Sequence, residues 1–148
     1  MHSPILAPVV TLVAWTLVMM LWMMAVRIPA MRRAGINVKG LVGTRSGSLD
    51  GVLDDRVNWK SHNHTHLHEH PTLFYAVALS LALMDFGGGI NLWLAWAYVG
   101  FRIAHSLVQA TVNIVLYRFL LWLLSALCLI GLTVHAGAWL VHHGMFHM

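Results

Sequence analysis

Between Ile5 and Val26 the chain carries no charged side chain. At about 1.5 Å of rise per helical residue that run crosses the roughly 30 Å hydrocarbon layer of a bilayer. It lacks the positive flank of a secretory signal and is longer than a signal's apolar core, so a retained membrane helix is expected. Three more apolar stretches follow, Pro71 to Phe86, Ile90 to Val112 and Phe119 to Val141. With 59% hydrophobic and 9% charged residues, the composition is too apolar for an ordinary soluble domain. Only helices or closed barrels satisfy the backbone in lipid, and no period-two alternation favours a barrel. The fold class expected is therefore an all-α membrane protein. One domain, 1–148, holds four transmembrane helices at about 5–26, 62–86, 90–113 and 119–141 in up-down order. Gly87, Gly88 and Gly89 make the tight turn between helices two and three.

Cations orient the bundle. Seven of the nine Lys and Arg (Arg27, Arg32, Arg33, Lys39, Arg45, Arg56, Lys60) fall between helices one and two, and Arg118 falls between helices three and four. The positive-inside rule places both connections in the cytoplasm, including the loop at about 27–60 with its spaced Gly40, Gly43, Gly47 and Gly51. The net charge of +4 sits beside membrane ends, which favours lipid headgroups or a small anion and excludes a nucleic-acid partner. The single cysteine, Cys128, excludes an intrachain disulfide and reads as a packing residue in mid-span.

Five of the eleven histidines lie in the segment from His62 to His70, together with Glu69, the one glutamate of the chain. In helical phase Trp59, His62, His66, Glu69 and His70 share a face, and His64 and His68 point the other way. His66 to His70 fits the H-x-x-E-H string of inverted zinc peptidases. That chemistry wants a further carboxylate downstream, and the last acidic residue, Asp85, belongs at the other membrane face. No metal cofactor is expected, although the tract could take up nickel or zinc adventitiously.

Tyr98, Arg102, His105, Gln109 and Asn113 are spaced by four, three, four and four, an arc of about 60° on helix three. Lipid does not tolerate such a face, so it turns into a bundle, a subunit interface or a wet cleft. Arg102 requires an acceptor, either a structural partner such as Glu69 or Asp85 or an anionic ligand. His105 is either a neutral packing residue or a ligand contact.

Three runs carry a family resemblance: N-H-x-x-x-H-E-H-P-T-L-F-Y-A-V-A-L (Asn63 to Leu79), L-A-W-A-Y-V-G-F-R-I-A-H (Leu94 to His105) and T-V-N-I-V-L-Y-R-F (Thr111 to Phe119). Together they resemble the MAPEG family, membrane-associated proteins in eicosanoid and glutathione metabolism, and most of all its bacterial members. The resemblance implies a homotrimer in a bacterial inner membrane. Glutathione, as co-substrate, is then held between subunits near the cytoplasmic face, and lipophilic electrophiles arrive from the bilayer. Glutathione-using members carry R-x-x-x-N-x-x-E on helix two, where this chain has His62, His66 and Glu69. Glu69 would hold the γ-glutamyl ammonium, and Asn63 is an alternative donor to His62 or His66. Helix three supplies the family's arginine at Arg102, with His105 and Gln109 where activating members tend to have tyrosines. Asn113 closes that stripe, and Arg32 and Arg33 resemble the cations flanking the site. Arg118 or His105 would stabilise the thiolate. The competing functions are a non-catalytic trimeric scaffold or ligand-binding protein, and a metal-binding membrane protein using His62, His66 and His70.

Overall fold

The computed structural model describes residues 3–36 and 47–144. Lys39, Arg45, Gly40 and Gly43 of the expected loop lie outside the described residues. The architecture is an all-α bundle of α1 (Leu6–Arg33), α2 (Asp55–Glu69), α3 (Pro71–Leu83), α4 (Gly89–Thr111) and α5 (Val115–Gly144). Helices α2 and α3 make one interrupted rod. His70 between them keeps helical angles, φ −75° and ψ −40°, and Pro71 has no N–H to give to the carbonyl one turn back.

The helix ends differ from the hydropathy boundaries, each for a local reason. Helix α1 runs past Val26 to Arg33, and its last-turn cations, Arg32 and Arg33, complement the helix dipole. It stops where Gly35 turns left-handed, φ 68°. Ile36 N–H then returns to Met31 O at 3.0 Å and Gly35 N–H to Arg32 O at 3.2 Å, a Schellman closure. Helix α2 begins well before position 62 because the Asp54 side chain accepts from Arg56 N–H at 2.8 Å, a side-chain N-cap. Helix α5 starts at Val115, ahead of Phe119, so Arg118 stands in its first turn and not in a loop.

Contacts at the bundle ends show that successive columns alternate in direction. At one end Arg27 hydrogen-bonds Ser61, and Lys60 Nζ donates to Ala110 O at 3.3 Å. At the other, Gly87 lies against Ser3 and Ile5, where an added Cβ would come within 2.6 Å of Ile5 Cγ2. Asp85 also sits at that end and adopts φ 53°. Its role is to close α3, letting Phe86 N–H reach Leu81 O at 2.9 Å.

Helix α4 packs against α1, α2 and α5 and is the most enclosed column. Around it Ile5, Leu12, Phe74, Ala78, Leu81, Ala95, Tyr98, Val99, Leu129, Leu132 and Ala136 form the main core. A smaller cluster, Met19, Leu67 and Ala110, closes the Arg-rich end. The outward faces invert the soluble pattern: Val10, Leu17 and Leu21 on α1 and Leu127, Ile130 and Val134 on α5 are exposed. Helices α1 and α5 are each long and apolar enough to cross a membrane.

Gly87→Ala should lower the thermal unfolding midpoint in detergent, at a cost of about 1–3 kcal/mol, because a methyl group there overpacks against the α1 terminus. Gly88→Ala, with open space around its α-carbon, is the matched control and should change it little.

Candidate functional site

The polar stripe of α4 faces inward. Tyr98, Arg102, His105 and Gln109 are all buried, while Asn113 lies past the helix end with φ 53°. Two residues extend the stripe beyond the sequence expectation, Asn91 at its start and Ser106 beside His105, both buried. Their polarity is the signal that could have found them, at helical spacing from residues already in the stripe.

Arg102 is 1% exposed, and its Nη2 donates to His66 O at 3.0 Å. That carbonyl belongs to the last turn of α2, where the ladder weakens: the His70 N–H bond to the same oxygen is 3.4 Å long. The structural partners expected from the sequence are therefore corrected. Among the described residues Arg102 pairs with neither Glu69 nor Asp85. Asp85 is occupied with terminating α3 at the opposite end, and Glu69 is largely exposed, within 3.7 Å of His66. Arg102 Nε is buried without a partner, as are the Tyr98 hydroxyl, Gln109 Oε1 and Asn63 Oδ1. Tyr98 stacks on Phe74, centroids 4.3 Å apart and planes at 11°. Asn63 Nδ2 donates to Ser106 Oγ at 2.8 Å, joining α2 to α4.

Beside this buried set lies a cleft of about 240 Å³ between α2, α4 and the start of α5, lined by His66, His105, Val115, Arg118, Phe119 and Trp122. His66 and His105 meet edge to face at 6.4 Å, and Trp122 lies edge-on to His70 at 5.6 Å. Arg118 Nη1 donates to Asn113 Oδ1 at 2.6 Å, which orients the guanidinium and leaves its buried Nε without a partner. The cleft thus joins two imidazoles and a guanidinium on one wall to aromatic and aliphatic surface on the other. Val115, Phe119 and Trp122 escaped sequence reading because an uncharged residue in an apolar helix reads only as span.

Other expected residues stand apart. His62 turns to Asp50 at 3.2 Å, and His64 and His68 pair on the far side of α2, centroids 4.4 Å apart. Arg32 and Arg33 are exposed at the end of α1 and do not line the cleft. Lys60 is committed to carbonyls, Arg56 O at 2.8 Å as well as Ala110 O. Burial first, and the Arg56 guanidinium second, hold its ammonium below the usual lysine pKa, with Asp54 opposing. Among the described residues no three His, Cys, Asp or Glu side chains are grouped to hold a metal ion.

A helical bundle with an apolar outer surface and a buried polar stripe that includes Arg102 is an integral, multi-pass membrane protein. The chain belongs to the MAPEG family, whose family model matches residues 5–138. Neither the curated proteins nor the solved structures give a match to it.

Ser106→Ala should destabilise the bundle by about 1–3 kcal/mol, because it strips the buried Asn63 amide of its acceptor. Thermal unfolding in detergent measures this, and a value near zero would mean that Asn63 finds another partner.

Proposed function

We propose that this is a MAPEG protein of the bacterial type that binds glutathione and conjugates it to lipophilic electrophiles entering from the bilayer. The observation that carries the reading is a buried guanidinium, Arg102, lacking any carboxylate partner among the described residues, next to a cleft walled by His66, His105 and Arg118. Unneutralised positive charge in a low-dielectric interior favours an anion. Glutathione brings two carboxylates and a thiol that ionises to thiolate. In this reading its ammonium pairs with Glu69, whose carboxylate is exposed beside His66.

The connection between α1 and α2 and the turn between α4 and α5 then face the cytoplasm, where cationic loops are retained. The cleft of one chain, about 240 Å³, is below the roughly 300–1,000 Å³ typical of ligand sites. A neighbouring subunit of a homotrimer would complete it. In that assembly Arg32, Arg33 and His62 supply the remaining polar contacts, with Asn63 and Gln109 supporting the stripe from within the bundle and Asn113 from its end.

In the reaction glutathione is the nucleophile and the protein stabilises its thiolate. Arg118, steadied by Asn113, offers positive charge to the sulfur, and His105 offers a hydrogen bond. The thiol proton passes to solvent, the sulfur bonds to the electrophilic carbon, and the leaving group departs with the electron pair of its broken bond. The aromatic wall of Phe119 and Trp122 admits the lipophilic partner.

Calorimetry with glutathione on purified trimer, followed by turnover of a chlorinated nitrobenzene, tests this directly. Arg102→Ala and Glu69→Gln should each weaken glutathione binding about tenfold, the scale of one charge-assisted hydrogen bond. Arg118→Ala should lower kcat by tenfold or more and spare affinity, with loss of the thiolate absorbance that glutathione develops on binding. Absence of both heat and turnover would sink the reading, and an equal loss of trimer stability in all three variants would favour a non-catalytic scaffold.

A further inference from the structure

The end of the bundle away from Arg118 holds a larger cleft, about 630 Å³, lined by Phe86, Ile90, His135, Ala138, Trp139, His142 and His143. It plays no part in the glutathione reading. Its hydrogen bonds determine what it can recognise. Asn91 is 1% exposed, and its Nδ2 donates to Phe86 O at 2.8 Å. Since a carbonyl only accepts, the Asn91 amide is oriented with Oδ1 toward His135 Nδ1, 2.7 Å away. The proton of that short contact therefore sits on Nδ1, and the neutral ring carries its lone pair on Nε2.

His143 repeats the arrangement. Its Nδ1 lies 3.1 Å from Trp139 O, an acceptor, so its neutral ring also leaves Nε2 as the acceptor nitrogen. No hydrogen bond engages Nε2 of either ring among the described residues. Trp139 stacks on His143, centroids 4.6 Å apart and planes at 14°, which steadies the second imidazole.

The lining decides the ligand class. It contains no Lys or Arg to hold an anion and no Asp or Glu to hold a cation. What remains is a neutral hydrogen-bond donor presented to acceptor nitrogens between Phe86 and Trp139. Ile90 and Trp93, both exposed on the adjoining turn of α4, extend the apolar surface toward the lipid.

We propose that this cleft binds a lipophilic phenol from the membrane, its hydroxyl donating to His135 Nε2 and its ring lying against the aromatic wall. His143 is the second acceptor, available to a further hydroxyl on the same ring. Nothing in this step is covalent, and no proton is transferred.

The test uses the full-length protein in lipid nanodiscs with para-octylphenol as probe, followed by nitrogen NMR on isotope-labelled histidine. Saturable binding is expected, with a shift of the His135 Nε2 resonance as the hydroxyl bonds to it. Octylbenzene, octanoate and octylamine are the comparators, and each should bind at least about fivefold more weakly. His135→Phe keeps the ring and loses the acceptor, and it should weaken the phenol about tenfold, the range of one hydrogen bond in a desolvated site. His143→Phe, at an exposed position, should give a smaller loss and serves if His135→Phe fails to fold. Equal binding of octylbenzene, tighter binding of octanoate or octylamine, or an unmoved His135 resonance would each overturn the proposal.

Discussion

A buried guanidinium at the break of a helix is the interaction on which this structure turns. Pro71 removes one donor from the rod formed by α2 and α3, and the neighbouring His70 bond is stretched to 3.4 Å. Arg102 reaches from α4 and donates to His66 O, the carbonyl at that weak point. A charge so enclosed needs acceptors, of which the backbone supplies one here, and surroundings that are themselves polar. Tyr98, His105, Ser106 and Gln109 supply that surrounding on α4, and Asn63 supplies it on α2.

Geometry follows from this contact. Helix α4 must be central, because its polar stripe has to look away from lipid. The interrupted rod must lie against α4, because its weak carbonyl needs the guanidinium. Helices α1 and α5 are then left on the outside with apolar faces that only hydrocarbon can cover. The cleft beside His66, His105 and Arg118 opens at the same place, since the first turn of α5 meets the rod near its break.

Much of this was readable in the residues. The charge-free run from Ile5 to Val26, the three-four spacing of Tyr98, Arg102, His105 and Gln109, and the turn marked by Gly87 to Gly89, where Gly89 adopts φ 58°, follow from length, period and backbone freedom. Less was readable where a side chain's role depends on a distant partner. Glu69 and Asp85 were plausible mates for Arg102 by charge alone, yet a backbone oxygen took their place. Arg118 looked like a loop residue because hydropathy does not register a helical first turn, and its alignment by Asn113 depends on the left-handed turn that ends α4. The acceptor nitrogens of His135 and His143 were hidden for the same reason, as a tautomer is set by the neighbour and not by the residue.

The sequence by itself therefore determined a helical membrane bundle of the MAPEG family, the inward polar stripe and the clustering of cations at one end. These are consequences of local period and of the cost of polar groups in lipid, which each segment carries alone. Only the tertiary structure decided which acceptor satisfies Arg102, which groups of the stripe stay unpaired, and which of the candidate residues meet around one cleft. Hydrogen bonds are directional and short, so their partners are chosen by the packing of whole helices and cannot be read from any one of them.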